Sequence, residues 1–207
     1  IDQIPDLPLS TGDITVCEES PIQTLNGNTA ISRIPGITPI WYDAPTGGSI
    51  IQPILNHTGS VTFYVEAWNG TCSSNGRTAV TLTIIPKPLA PVSNGDLNAC
   101  ESDPMPVLNA NDAMQTSTGQ NIIWYDRMIG GNIVASPTLS AVGTVTYYAV
   151  DFNGTCSSAP RTPVKLTINS TPGNPSVNVS VKPTCVEPTG TVDIITPLGP
   201  EYAYNFD

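Results

Sequence analysis

Five cysteines, one histidine and seventeen acidic side chains are the groups of this 207-residue chain from which chemistry could be built. The cysteines fall as two, two and one: Cys17 and Cys72 are 55 positions apart, Cys100 and Cys156 are 56 apart, and Cys185 stands alone. A zinc site needs Cys-x-x-Cys pairs or neighbouring histidines, and His57 has no companion. A catalytic thiol needs a base partner, and the chain beyond His57 contains no other histidine. The matched spacing instead predicts one disulfide in each half, Cys17–Cys72 and Cys100–Cys156, with buried free thiols as the competing reading. Closing such a loop stabilises a fold by about 4 kcal/mol in the chain-entropy model. Cysteines used in this way indicate an oxidising compartment, extracellular or at the cell surface. No nucleophile–base–orienter set and no phosphate-cradling glycine loop is visible, so the expectation is a protein without catalysis, metal or cofactor.

The elements that place these cysteines are repeated. Cys17, Trp41-Tyr42-Asp43 and Gly47-Gly48 return 83 residues later as Cys100, Trp124-Tyr125-Asp126 and Gly130-Gly131. After a one-residue insertion, Asn69-Gly70-Thr71-Cys72-Ser73-Ser74 returns as Asn153-Gly154-Thr155-Cys156-Ser157-Ser158, and Arg77 returns as Arg161. Two copies therefore fill residues 1–86 and 87–169, and residues 170–207 follow another pattern. Pro86, Pro88 and Pro91 lie at the junction of the copies, and Pro172 and Pro175 follow the second. Alternating prolines favour extended, semi-rigid spacers, which predicts copies set end to end.

Within each copy the hydrophobic period is two. Val61, Phe63, Val65 and Ala67 alternate with Thr62, Tyr64, Glu66 and Trp68, and residues 145–152 are equally rich in β-branched and aromatic types. Each run enters Asn-Gly, the sequence of a type I′ hairpin turn, and Val80, Leu82 and Ile84 mark the inward face of a returning strand. Ile40 to Tyr42 and Ile122 to Tyr125 are shorter strands ahead of Gly-Gly turns. Short strands, frequent turns and about 83 residues per unit predict an all-β chain of tandem immunoglobulin-like antiparallel β-sandwiches, followed by the first strands of a third β domain. In that last segment Val177, Val179 and Val181 alternate with polar residues, Thr191 to Ile195 offers a second strand, and Cys185 has no partner within the chain.

Seven basic against seventeen acidic residues, a net charge of −10, excludes a nucleic-acid face. No apolar run approaches the length of a membrane span, and Ile1 to Pro5 lack the features of a signal peptide.

Cys-Glu-x-x-Pro, Trp-Tyr-Asp, Gly-Gly and Asn-Gly-Thr-Cys-Ser-Ser together resemble the immunoglobulin-like repeats of very large secreted surface proteins of the Bacteroidetes. These include adhesins of gliding flavobacteria and multidomain proteins exported by type IX secretion. Residues 170–207, with Lys182-Pro183-Thr184-Cys185, Pro188-Thr189-Gly190 and Glu201 to Asp207, resemble the opening of another repeat of gliding-motility adhesins. The resemblance implies an extracellular stalk or filament segment that extends binding regions from the cell. Its partners would be a surface polysaccharide, a glycan or another cell-surface protein, together with further repeats of the same polypeptide. The alternative is a carbohydrate-binding or accessory module of a secreted multidomain hydrolase.

Three features carry two readings each. Trp41-Tyr42 and Trp124-Tyr125 are either sugar-stacking platforms or pairs with one ring in the core and one partly exposed. Asp43 and Asp126 either contribute to a cation site or close their own turns. Asn94, Asp96, Asn98, Glu101 and Asp103 offer oxygen atoms to calcium but lack the spacing of a calcium-binding loop. Five Asn-x-Ser/Thr triplets match the glycosylation signal, but two of them are the Asn-Gly turns.

Overall fold

The computed structural model describes residues 3–115, 121–200 and 202–204. Ile1, Asp2, Glu201 and Asn205 to Asp207, which belong to the opening and closing segments read above, lie outside them. The strands are β1 Ile14–Cys17, β2 Leu25–Asn26, β3 Thr38–Tyr42, β4 Ile54–Leu55, β5 Gly59–Trp68 and β6 Thr78–Ile85 in the first copy. The second copy gives β7 Leu97–Cys100, β8 Leu108–Asn109, β9 Ile122–Tyr125, β10 Thr138–Leu139, β11 Gly143–Asp151 and β12 Thr162–Asn169. The last segment gives β13 Ser176–Val181 and β14 Thr191–Thr196. By backbone proximity the chain divides into two compact units, one of Ile1–Ser93, Gln115–Ala135 and Tyr148–Pro163, the other of Asn94–Met114, Ser136–Tyr147 and Val164–Asp207.

The first copy is a two-layered sandwich. One layer is a four-stranded sheet in the order β1-β6-β5-β3, and the other is the β2-β4 pair with a short 3-10 turn at Gly27–Ala30. The period-two pattern works as expected. Phe63, Val65, Val80, Leu82 and Ile84 turn inward from β5 and β6 and meet Trp41, Leu55, Ala30 and Ile31. Burying side chains of this size removes about 1.5–3 kcal/mol each from exposure to water. Thr62 and Thr81, on the outward face, bond across the strands at 3.0 Å. The order β7-β12-β11-β9 repeats the sheet in the second copy, and β10-β8 repeats the small pair.

Two details depart from the sequence reading. The sandwich is antiparallel except at one edge, where β1 runs parallel to β6 with Cys17 beside Ile85, and β7 runs parallel to β12 with Cys100 beside Asn169. Alternation reports which face a residue occupies, not the direction of the neighbouring strand, so this pairing left no trace in the pattern. The Asn-Gly sequences do not form type I′ turns, which would require positive φ at the asparagine; among the described residues only glycines have positive φ. Asn69 instead folds a four-residue loop whose N–H reaches the Cys72 carbonyl at 3.2 Å, and Gly70 takes the left-handed position at φ 98°. The strand β6 then starts only at Thr78.

In the last segment β13 and β14 pair antiparallel with register shifts. Val177, Val179, Val181, Val192 and Ile195 are each about half exposed, so this hairpin leaves apolar side chains uncovered.

Candidate functional site

The cysteines form the site that matters most, and they pair differently from expectation. The disulfide is Cys17–Cys156, with 5.7 Å between the Cα atoms, and Cys72, Cys100 and Cys185 are free thiols. The expected Cys17–Cys72 and Cys100–Cys156 bonds are corrected by the parallel edge. Cys17 lies beside Ile85, the last residue of β6, while Cys72 lies in the loop ahead of Thr78, the first. Eight residues of strand separate the two levels by roughly 25 Å, and a disulfide spans about 7 Å at most between Cα atoms. The same geometry parts Cys100, beside Asn169, from Cys156, which precedes Thr162. Cys17 of the first copy instead meets Cys156 of the second, whose side chain is 1% exposed.

The loop that delivers Cys156 is built by Asn153. Its Oδ1 accepts the N–H groups of Thr155 and Cys156 at 3.1 and 2.8 Å, and its Nδ2 donates to the Pro86 carbonyl at 3.1 Å. Asn69 does the same around Cys72: Oδ1 accepts from Thr71 and Cys72 at 3.0 and 2.7 Å, and Nδ2 donates to the Gln3 carbonyl at 2.8 Å. Both asparagines close Asx turns, which fix the cysteine that follows.

The Trp-Tyr-Asp sequences are scaffolding for a second feature. Trp41 and Trp124 are each 4% exposed, and the Trp41 indole N–H donates to Asn28 Oδ1 at 2.8 Å. Neither ring offers a face to a sugar, which corrects the reading of Trp41 and Trp124 as glycan contacts. Tyr42 and Tyr125 are half-buried on the opposite side of the strand, as adjacent strand positions require. Arg77 stacks on Tyr42 at 3.2 Å from the ring centre, and Arg161 stacks on Tyr125 at 3.5 Å, so one face of each tyrosine is occupied.

Each arginine also ties down the Gly-Gly turn. Arg77 donates to the Ala44 and Gly47 carbonyls at 2.7 and 2.6 Å, and Arg161 donates to those of Arg127 and Gly130. The copies differ in one respect. Arg77 pairs with Glu66 at 3.5 Å, and Glu66 accepts the Tyr42 and Ser73 hydroxyls at 2.9 and 3.0 Å; the residue in the corresponding position of the second copy is Val150. Partial burial, reinforced by the bond to Glu66, pushes the Tyr42 phenol above its ordinary pKa. The repeat marked Arg77 and Arg161 as equivalent, but nothing in the spacing revealed their stacking role.

Four of the candidate acidic side chains, Asp43, Asp126, Asp96 and Glu101, are bonded within the fold. Asp43 accepts the Ser49 N–H and Asp126 accepts the Asn132 N–H, both at 2.8 Å, so each closes its own turn. A Cβ at Gly48 or Gly131 would stand 2.2 Å from that carboxylate, and both glycines have positive φ, which explains the Gly-Gly sequence. The bond from the Asn132 backbone holds the Asp126 carboxyl below its ordinary range. Asp96 accepts the Lys165 N–H at 2.9 Å, and Glu101 accepts that of Thr171 at 3.2 Å. Among the described residues no three His, Cys, Asp or Glu side chains form a cluster able to hold a metal. No helix among them is long and apolar enough to cross a membrane. A groove of about 540 Å³ in the first copy is lined by Pro8, Asn28, Ile31, Arg33, Ile34 and Pro39, among others.

Comparison with solved structures gives distant likenesses. A two-repeat fragment of human mucin-like protocadherin is 10% identical, with a TM-score of 0.28, covering 80% of this chain and 98% of that one. A SusE-like, surface-located polysaccharide-binding protein of Bacteroides thetaiotaomicron is 13% identical at 0.28, covering 84% of this chain but only 35% of its own. The titin domains z1z2, solved in complex with telethonin, are 14% identical at 0.24, covering 79% of this chain and 97% of theirs. At these scores none of them carries an argument about function. No curated protein sequence matches. The model of one family does match, twice in tandem, over residues 5–86 and 88–170, under the description Ig-like domain, CHU_C associated. With both copies matched, the chain belongs to the CHU_C-associated family of immunoglobulin-like domains.

Proposed function

We propose that this chain is an extracellular, non-catalytic stalk segment of a bacterial surface adhesin, organised as sandwiches over 1–86 and 87–169 and the start of a further β repeat over 170–207. The observation that carries the reading is the Cys17–Cys156 disulfide, which joins one copy to the next. A bond placed there fixes successive repeats to one another in an oxidising environment and contributes nothing to a catalytic centre. Internal satisfaction of Asp43, Asp126, Asp96 and Glu101 supports the same reading, because the acidic groups are employed in holding turns and strand edges. Export through type IX secretion and a part in gliding belong to this proposal.

A swap experiment tests it. In the parent protein, residues 1–169 are replaced by two unrelated disulfide-linked sandwiches. Surface adhesion should survive the replacement and fail on simple deletion. The accessory-module alternative rests on the groove at Pro8 and Ile34 and on the partial exposure of Tyr42 and Tyr125. It predicts that the purified chain binds polysaccharide on a glycan array and loses binding on Tyr42→Ala or Tyr125→Ala. That result would replace the stalk assignment.

A further inference from the structure

We propose that Cys72 and Cys100 are the two unmated halves of the same inter-repeat disulfide, each completed by another copy of this repeat. Cys72 takes a cysteine at the end of a β1-type strand, and Cys100 takes a cysteine in an Asn-Gly-Thr-Cys loop. The inference is independent of what a stalk would carry.

The bonded pair supplies the template. Cys72 occupies the position of Cys156, in a loop with the same two asparagine-capped N–H groups. The correspondence extends one step further. Asn153 holds the carbonyl of Pro86, which directly follows the strand whose last residue flanks Cys17. Asn69 holds the carbonyl of Gln3, which lies 83 residues before Pro86 and so occupies its equivalent position. The loop of the first copy thus already grips the incoming chain as the loop of the second copy does.

Cys100, for its part, reproduces the surroundings of Cys17. It lies beside Asn169, whose carbonyl accepts the Glu101 N–H at 2.7 Å; Cys17 lies beside Ile85, whose carbonyl accepts the Glu18 N–H at 2.8 Å. Burial differs in the sense a missing neighbour requires. Cys156 is buried where Cys72 is half-buried, and Cys17 is half-buried where Cys100 is exposed.

A second copy of the chain carries both complements, so Cys72 of one molecule and Cys100 of another form a heterologous pair. A head-to-tail contact of that kind propagates from molecule to molecule, as an open series or, where the rotation closes, as a ring. The chemistry is thiol–disulfide exchange with a small-molecule disulfide such as glutathione disulfide. One thiolate attacks it and releases one glutathione thiol; the second thiolate then attacks the mixed disulfide and releases the other. Two protein thiols are oxidised and one glutathione disulfide is reduced.

The test uses the full chain with Cys185→Ser, concentrated in a glutathione redox buffer and resolved without reductant. A ladder of dimers, trimers and longer species is expected, with Cys72–Cys100 as the linking peptide. Adding Cys72→Ser or Cys100→Ser should abolish every species above monomer, and mixing these two variants should restore dimers and nothing longer. The mixture also shows that each variant has kept its remaining half in folded form. Dimers in either variant alone, absence of the ladder, or a Cys100–Cys185 bond in the chain that retains Cys185 would overturn the proposal.

Discussion

Replacing Arg77 by Ala, and separately Arg161 by Ala, isolates what the arginine clamp contributes. In the first copy the change removes two bonds from a charged donor to the Ala44 and Gly47 carbonyls, the stacking on Tyr42, and the pair with Glu66. Gly47 is exposed, so its carbonyl recovers a bond to water, and the loss there falls well short of the full 1.5–3 kcal/mol of a charged hydrogen bond. Stacking contributes about 0.5–2 kcal/mol. The Arg77 and Glu66 side chains are 11% and 14% exposed, so their pairing is more than a solvated surface contact. Together these place Arg77→Ala at about 3 kcal/mol. Arg161 keeps the carbonyl bonds and the stacking, but Val150 stands at the position equivalent to Glu66 and offers no carboxylate, so Arg161→Ala should cost about 2 kcal/mol. Urea titrations followed by tryptophan fluorescence give both values, since Trp41 and Trp124 report on the two copies separately in Trp-to-Phe backgrounds. A loss below about 1 kcal/mol for Arg77→Ala would refute the reasoning, as would a larger loss for Arg161→Ala than for Arg77→Ala.

Other outcomes follow from the same geometry. Trp41→Ala should destabilise the first copy by about 3–5 kcal/mol, measured by chemical denaturation, because a core ring and its bond to Asn28 are both lost. Asp126 should titrate by NMR below the ordinary aspartate range. Its folded pKa is depressed, so its contribution is present above the unfolded value and disappears as pH falls through the folded one; a midpoint above the ordinary value would contradict the turn-closing bond. Non-reducing peptide mapping of the isolated monomer should recover Cys17 joined to Cys156 and leave Cys72 open to alkylation, whereas a Cys17–Cys72 peptide would mean that the parallel edge is wrong.

The strands were legible because Val80, Leu82 and Ile84 can alternate in only one way against polar neighbours, and the repeat made each element visible twice. The cysteine connectivity was not. Equal spacing in a duplicated unit is produced both by a bond within each copy and by a bond from each copy to the next. Only the direction of β1 against β6 separates the two, and strand direction has no signature in the alternation at Ile14 to Cys17. Asn-Gly misled for a related reason. The dipeptide suits two conformations, and the amide of Asn69, with Gln3 and Cys72 both in reach, selected the one a sequence pattern does not encode. Arg77 and Arg161 were identifiable as a repeated pair, but a stacking partner some thirty-five residues away is set by the fold alone.

The Cys17–Cys156 bond has a consequence for how the chain responds to being pulled. Tension entering ahead of Cys17 and leaving after Cys156 crosses directly from sulfur to sulfur, so the polypeptide between them is bypassed by the load. That loop spans a sequence separation of 139. Fully extended, such a length would release roughly 450–500 Å, and the disulfide keeps all of it in reserve until it is reduced. Strands β3, β5 and β6 of the first copy, which follow Cys17, are thereby relieved of bearing the force, and a thiol reductant becomes the agent that sets the molecule's extensibility.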